Sequence, residues 1–342
     1  MEDRRTILEV KHLSVEFETE QGTVHAVRDV DFHVKEGEIL GIVGESGSGK
    51  SVSMYAVMGL LANNGRIIDG DITFCGERIA RKDFASDKAY EKKMGEIRGN
   101  TMAMIFQDPM TFLNPVLTVG KQLREAILNH HPGVGRAEAN RQAVELMRQV
   151  GIPAPESRMR QYPHEFSGGM RQRIVIAMAL ANKPKLIIAD EPTTALDVTV
   201  QAQVLELIRE LSKRTGAAVM MITHDLGVVA SLCDRINMMY GGKIVETGSD
   251  DEIFYTPNHP YTEGLLKCVN HLADDDQEME PIPGSPPDML HPPVGCPFVD
   301  RCDRAMRVCK TRMPESTAFS DTHSSSCWLN EKERREEAKR YG

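Results

Sequence analysis

Residues 38–51 read Glu38-Ile-Leu-Gly-Ile-Val43-Gly44-Glu45-Ser46-Gly47-Ser48-Gly49-Lys50-Ser51. An apolar run of strand length feeds the spacing G-x-x-x-x-G-K-[ST], and the helical pattern Ser51 to Leu61 follows it. In such a loop, glycines let successive backbone N–H groups turn inward around phosphate oxygens, and the helix N-terminus adds positive potential. Gly44, Ser46, Gly47, Ser48 and Gly49 form the loop, Lys50 is expected to reach the outer phosphate oxygens, and the Ser51 hydroxyl to ligate Mg²⁺.

Outward from this loop, apolar runs at Glu38 to Val43, Thr101 to Phe106, Leu186 to Ala189 and Ala217 to Thr223 alternate with helical patterns such as Gln201 to Leu211. That alternation predicts an α/β fold with a largely parallel, buried sheet. Between Thr118 and Gln161 the strand pattern stops and helical spacing takes over, for example at Arg136 to Val150. Leu186-Ile-Ile-Ala-Asp190-Glu191 is a strand ending in two adjacent carboxylates. One acid placed there can hold a metal while the next polarises an attacking water, so Asp190 is the candidate Mg²⁺ ligand and Glu191 the candidate general base.

The chain has 41 Lys plus Arg against 50 Asp plus Glu, a net charge of −9, which argues against a phosphate-backbone partner such as nucleic acid. Its longest wholly apolar run, Ile174 to Ala181, is far short of the roughly 20 residues needed to span a bilayer. The N-terminus lacks the apolar stretch of a secretory signal, so cytoplasmic residence is expected. Any membrane role must then pass through partner proteins.

Phe166-Ser167-Gly168-Gly169-Met170, followed by Arg-Gln-Arg and the helical run from Ile174, resembles the signature motif of ATP-binding-cassette (ABC) proteins. Ser167 is a good helix N-cap, and the glycines leave N–H groups open to an anion. The resemblance extends over residues 7–270. Gln107 resembles the Q-loop glutamine, Ala195-Leu196-Asp197 the D-loop and His224 the switch histidine, while Phe17 sits where the family stacks an aromatic on adenine. Phe166 for Leu and Met170 for Gln depart from the commonest signature.

This resemblance implies an α/β P-loop NTPase, an ABC-type nucleotide-binding domain with a RecA-like core. It also implies an antiparallel β region near the N-terminus and a helical insertion at about 115–170. ATP and Mg²⁺ are the implied ligands, with Gln107 touching Mg²⁺ and the water, and His224 contacting the γ-phosphate. Ser167, Gly168 and Gly169 would face the nucleotide of the opposite subunit in a head-to-tail dimer.

Ala103-Met-Ile-Phe-Gln-Asp-Pro-Met110, Leu113-Asn-Pro115, Asp190-Glu-Pro-Thr-Thr-Ala-Leu-Asp-Val198, His259-Pro-Tyr-Thr262 and Pro292-Pro-Val-Gly-Cys296 are similar to the peptide and nickel uptake branch. That likeness implies an ATPase driving dipeptide or oligopeptide import, peripheral on the cytoplasmic face of the membrane. Its implied partners are two transmembrane permease subunits, an extracytoplasmic peptide-binding protein and a second, non-identical ATPase. The alternatives are an importer for nickel or another small solute, an exporter, and a soluble ABC ATPase acting on nucleic acid or ribosomes.

Beyond about residue 250 the texture changes: Pro and His are dense from Pro257 to Pro293, Asp274 to Asp276 form an acidic patch, and four of seven cysteines follow. The expected division is a nucleotide-binding domain over 1–255, a Cys-bearing appendage over 256–330 and a charged tail over 331–342. Cys296, Cys302, Cys309 and Cys327 suit an iron–sulfur cluster or zinc, though the tight pairs favoured by structural zinc are missing. Because some peptide-importer ATPases carry a four-iron four-sulfur (4Fe–4S) cluster in this region, the resemblance favours that cofactor, with free or buried thiols as the other reading.

Overall fold

The computed structural model describes residues 4–107, 112–194, 196–270 and 282–331. Residues 108–111, Ala195, the acidic patch Asp274 to Asp276 and the tail from 332 lie outside the described residues. The strands in chain order are β1 (Thr6–Thr19), β2 (Gly22–Lys35), β3 (Ile39–Val43), β4 (Gly65–Phe74), β5 (Glu77–Arg78), β6 (Met102–Ile105), β7 (Leu186–Asp190), β8 (Ala218–Thr223), β9 (Arg235–Tyr240), β10 (Lys243–Ser249), β11 (Thr317–Ala318) and β12 (Ser324–Ser325). The helices are α1 (Lys50–Met58), α2 (Asp87–Ile97), α3 (Val119–Leu128), α4 (Arg136–Gln149), α5 (Pro155–Arg158), α6 (Gly168–Leu180), α7 (Val198–Thr215), α8 (Leu226–Leu232), α9 (Asp250–Tyr255), α10 (Pro260–Asn270) and α11 (Arg307–Thr311). Two compact units share these elements. One comprises Met1–Ile7, Val34–Glu38 and Cys75–Ile222; the other comprises Leu8–His33, Ile39–Phe74 and Thr223–Gly342.

In the first unit β6, β7 and β8 form a parallel ladder, with Met102 opposite Leu186 and Leu186 opposite Ala218. Every residue of β6 and β7 is buried, so these strands carry continuous apolar runs rather than alternation. Between β6 and β7 the described elements are all helical. Helix α4 buries Ala139, Ala143 and Met147, an i, i+4, i+8 stripe. Helix α7 starts where the Asp197 side chain accepts from the Val200 N–H at 3.0 Å, and stops at Gly216 with φ +72°.

In the second unit β3 runs parallel to β9, β10 returns antiparallel to β9, and β12 pairs antiparallel with β10. The long strand β1 pairs antiparallel with β4, Leu8 opposite Phe74, with a register shift between Lys11 and Ser14. The C-terminal part of the chain closes on this unit through a ring cluster. Tyr240, Tyr261 and Phe298 have centroids 4.6 to 5.5 Å apart. Beside it Glu246, 1% exposed, accepts from the backbone N–H groups of Asn258 and His259 and lies 2.9 Å from the Nε2 of buried His323.

Folding changes the ionisation of His259 strongly. Burial, with Arg304 nearby adding repulsion, pushes its imidazole down to about 3, and its Nδ1 accepts the Tyr261 N–H at 3.1 Å. The unfolded chain takes up a proton near the ordinary histidine value of about 6.5 while the folded chain does not. Stability from this residue is therefore complete above about pH 6.5 and falls as the pH drops toward 3, by about 2 kcal/mol at pH 5. The expected result is that the melting temperature of the native chain drops more between pH 7.5 and pH 5 than that of a His259→Asn variant, which keeps an acceptor but cannot titrate. Equal drops in the two proteins would remove His259 from the account of acid lability.

Candidate functional site

The phosphate-type loop lies in the second unit, between β3 and α1. Its turn uses left-handed backbone at Gly47 and Gly49, with φ of +78° and +103°. A side chain could not be added at two points. A Cβ on Gly44 would fall 2.0 Å from the Met239 carbonyl oxygen, and one on Gly49 would fall 2.5 Å from that of Ala26. Ser46 and Gly47 form the exposed tip, whereas Ser48 and Lys50 are buried. Lys50 is 6% exposed, and its ammonium donates to the carbonyls of Gly44 and Glu45 at 2.7 and 2.8 Å, with the Ser48 Oγ at 3.5 Å. Gly49 gives α1 no side-chain cap, so the first amides of that helix are not covered from within the cap residue. A narrow glycine cradle, an uncapped helix start and a buried cation make a site for an anion, and they fit the phosphates of a nucleotide.

The paired carboxylates lie in the first unit at the end of β7. Asp190 is 1% exposed and pairs in register with Ile222. Glu191 follows with φ +44°, a left-handed conformation uncommon for a residue with a side chain. Its N–H donates to the Ile222 carbonyl at 2.9 Å, and its carboxylate Oε2 accepts from the Gln107 amide at 2.9 Å and from the Thr194 hydroxyl at 3.0 Å. Gln107 and Glu191, separated by 84 positions in sequence, are thus brought together. Thr194 was not singled out from the sequence, although a hydroxyl three residues after the acid was the available signal. Gln172 was missed as well. It is fully buried on α6, and its Nε2 donates at 2.7 Å to the carbonyl of Pro192, fixing the turn that follows Glu191.

Ser167 caps α6 as its residue type predicts, its Oγ accepting from the Met170 N–H at 3.4 Å, with Gly168 and Gly169 forming the first turn. Phe166 is 3% exposed and belongs to the core, which accounts for an apolar residue there regardless of its exact shape. His224 is exposed just after β8, and Asp225 caps α8 through the amides of Gly227 and Val228. Phe17 is half-buried on β1 opposite Gly65 of β4, where a Cβ would fall 2.6 Å from its ring. Of the D-loop stretch, Leu196 and Asp197 are described. Gln107 and Asp190 of the first unit carry oxygens of the hard kind that Mg²⁺ takes, and so does Ser51 of the second.

The cysteine expectation is corrected. Cys296, Cys302, Cys309 and Cys327 do line one cavity, together with His259 and Trp328, but its volume is about 10 Å³. That is at the limit for a single water and leaves no room for an iron–sulfur cube. Burial pushes the Cys296 thiol up to about 12 and the Cys327 thiol up to about 11, and raises Cys302, so the metal-free chain holds these groups as thiols. Among the described residues, the His/Cys/Asp/Glu set whose ligand atoms fall within 4.8 Å of one another is exposed His12, Asp29 and Asp31, not the cysteines. The reading that stands is four buried or half-buried thiols packed as small apolar groups.

The family described as "ABC transporter" matches residues 27–194, and the family described as "Oligopeptide/dipeptide transporter, C-terminal region" matches residues 245–309. The dipeptide transport ATP-binding protein DppD of Bacillus subtilis is 51% identical over 95% of this chain and 95% of its own length. The oligopeptide transport ATP-binding protein OppD of Salmonella typhimurium is 50% identical over 94% of this chain and 93% of its own. Both are described as transport ATP-binding proteins. Among solved structures, the dimeric ATP-binding cassette MJ0796 in a post-hydrolysis state with ADP and Pi superposes with a TM-score of 0.61 at 26% identity, covering 71% of this chain and 98% of that one. The cassette cbiO1 of Clostridium perfringens gives 0.62 at 27% identity, covering 79% and 99%.

Proposed function

The chain belongs to the ABC transporter family, in its oligopeptide/dipeptide branch, and from that premise we propose how it works. It is the ATP-hydrolysing subunit of an importer that takes up dipeptides or oligopeptides. The single observation that carries this is identity near one half, over nearly the whole length of each chain, to relatives that are all named for peptide transport. No described helix is long and apolar enough to cross a membrane, so permease subunits supply the path.

The nucleotide-binding domain extends over 1–255, a C-terminal appendage bearing the cysteines over 256–330, and a charged tail beyond. ATP enters the glycine cradle, where the loop amides and Lys50 hold its phosphates and Phe17 packs on its base. Ser51, Asp190 and Gln107 would hold Mg²⁺, and the ion would supply positive charge to the phosphate oxygens. Glu191, fixed by Gln107 and Thr194, takes the proton of the attacking water, and His224 steadies the γ-phosphate. Ser167, Gly168 and Gly169 present open helix amides to the nucleotide held by a second cassette. A second, non-identical ATPase, two permease subunits and an extracytoplasmic peptide-binding protein complete the assembly, with this chain peripheral on its cytoplasmic face.

Uptake in a strain deleted for this chain tests the substrate class. Accumulation of labelled dipeptides or longer peptides is expected to be lost and to return with the intact gene, while nickel accumulation is unchanged. Unchanged uptake of both peptide classes with loss of nickel uptake would reject the peptide assignment.

A further inference from the structure

Position 45 is a free choice in the loop spacing, yet Glu45 is among the most tightly held residues of the loop. Its N–H donates to the Tyr261 hydroxyl at 2.9 Å, its carboxylate accepts from Arg301 Nη1 at 2.6 Å, and its carbonyl accepts from the Lys50 ammonium at 2.8 Å. The first two partners come from the C-terminal region, more than 200 residues away. Arg301 is itself built in. Its side chain is 6% exposed, and it also donates to the Tyr240 hydroxyl at 3.1 Å and to the carbonyls of Pro283 and Ile282 at 3.0 and 2.9 Å. Its guanidinium lies 5.7 Å from the Tyr240 ring centre and 6.0 Å from that of Phe298. A fork this fully used is a fixed point, not a mobile surface partner.

A carboxylate in a loop that receives a polyphosphate is an electrostatic liability, because like charges in a partly dry site repel strongly. Arg301 offsets that charge, and with Tyr261 it fixes the peptide whose carbonyl orients Lys50. We propose that Arg301 and Tyr261 are positioning residues for the phosphate loop, which makes the ATP affinity of this cassette depend on its C-terminal region. The proposal rests on the reading that this loop binds ATP. Neither residue touches the nucleotide; both act through Glu45.

The test is ATP affinity of the full-length chain, by titration calorimetry, alongside its melting temperature. Arg301→Met is expected to bind ATP about tenfold more weakly and to melt lower, since charge-assisted hydrogen bonds are lost. Adding Glu45→Gln to Arg301→Met is expected to restore most of the affinity without restoring the melting temperature. A purely structural arginine would not give that separation. In the assembled transporter the same single variant should raise KM for ATP with kcat held within about twofold. Tyr261→Phe, which removes only the acceptor for the Glu45 N–H, should weaken ATP binding about threefold and covers the case in which Arg301→Met does not fold.

Wild-type affinity in Arg301→Met or in Tyr261→Phe, or a double variant as weak as the single one, would overturn the proposal. Lys50→Ala run in parallel separates the two ideas. Unaltered affinity there means the loop is not the ATP site, whereas loss there with unaltered Arg301→Met and Tyr261→Phe rejects the positioning role alone.

Discussion

Glu191→Gln is expected to leave ATP bound and to lower its hydrolysis by about 10²- to 10⁴-fold, the usual worth of a positioned general base. Glutamine has the same length, so it can still accept from Gln107 and Thr194, whose donors lie 2.9 and 3.0 Å from the native carboxylate. What it cannot do is take the proton of a water. The backbone at this position is held by the N–H bond to Ile222 and does not depend on the side chain's charge. Phosphate release by the peptide-energised transporter, measured beside ATP affinity, checks both halves of the expectation. Undiminished turnover in the variant would remove Glu191 as the base.

Lys50→Ala is expected to weaken ATP binding by between about 10²-fold and a few thousandfold while the chain stays folded. Losing one partner of a buried charge pair costs about 3–5 kcal/mol, and each 1.4 kcal/mol is a factor of ten. Folding should tolerate the change for a different reason. Lys50 opens α1, alanine is the best helix former, and the change removes a buried ammonium whose loss of hydration opposes folding. Titration with ATP together with a thermal melt followed by circular dichroism distinguishes a lost site from a lost fold. Full affinity would place the phosphates elsewhere.

Local chemistry made much of this molecule readable from its sequence. The buried strands were visible because both faces of a parallel sheet are covered, which writes continuous apolar runs such as Leu186 to Ala189. The cap at Ser167 was visible because a hydroxyl before two glycines has few better uses. Helix α7 runs four residues past the expected Leu211, to Thr215, because a polar last turn shows no apolar stripe and only Gly216 marks the stop.

Contacts between distant segments were not legible. Nothing at Glu45 announces Arg301, and nothing in Arg-Gln-Arg announces that Gln172 is fully buried against Pro192. The cysteines show the opposite error. Their spacing suggested ligands, but spacing does not reveal burial, and burial is what keeps Cys296 and Cys327 protonated.

The left-handed backbone at Glu191 bears on how this family can change over generations. A non-glycine residue at φ +44° stores on the order of 1–3 kcal/mol of strain, a cost that the proposed role of this carboxylate as general base would account for. Glycine or asparagine there would relax the backbone and stabilise the fold while ending hydrolysis. Selection for stability alone therefore pushes toward an inert cassette. If Glu191 is the base, as proposed, only selection for transport holds it in place, and in a transporter with two different cassettes one of them can drift down that slope as long as the other keeps turning over ATP.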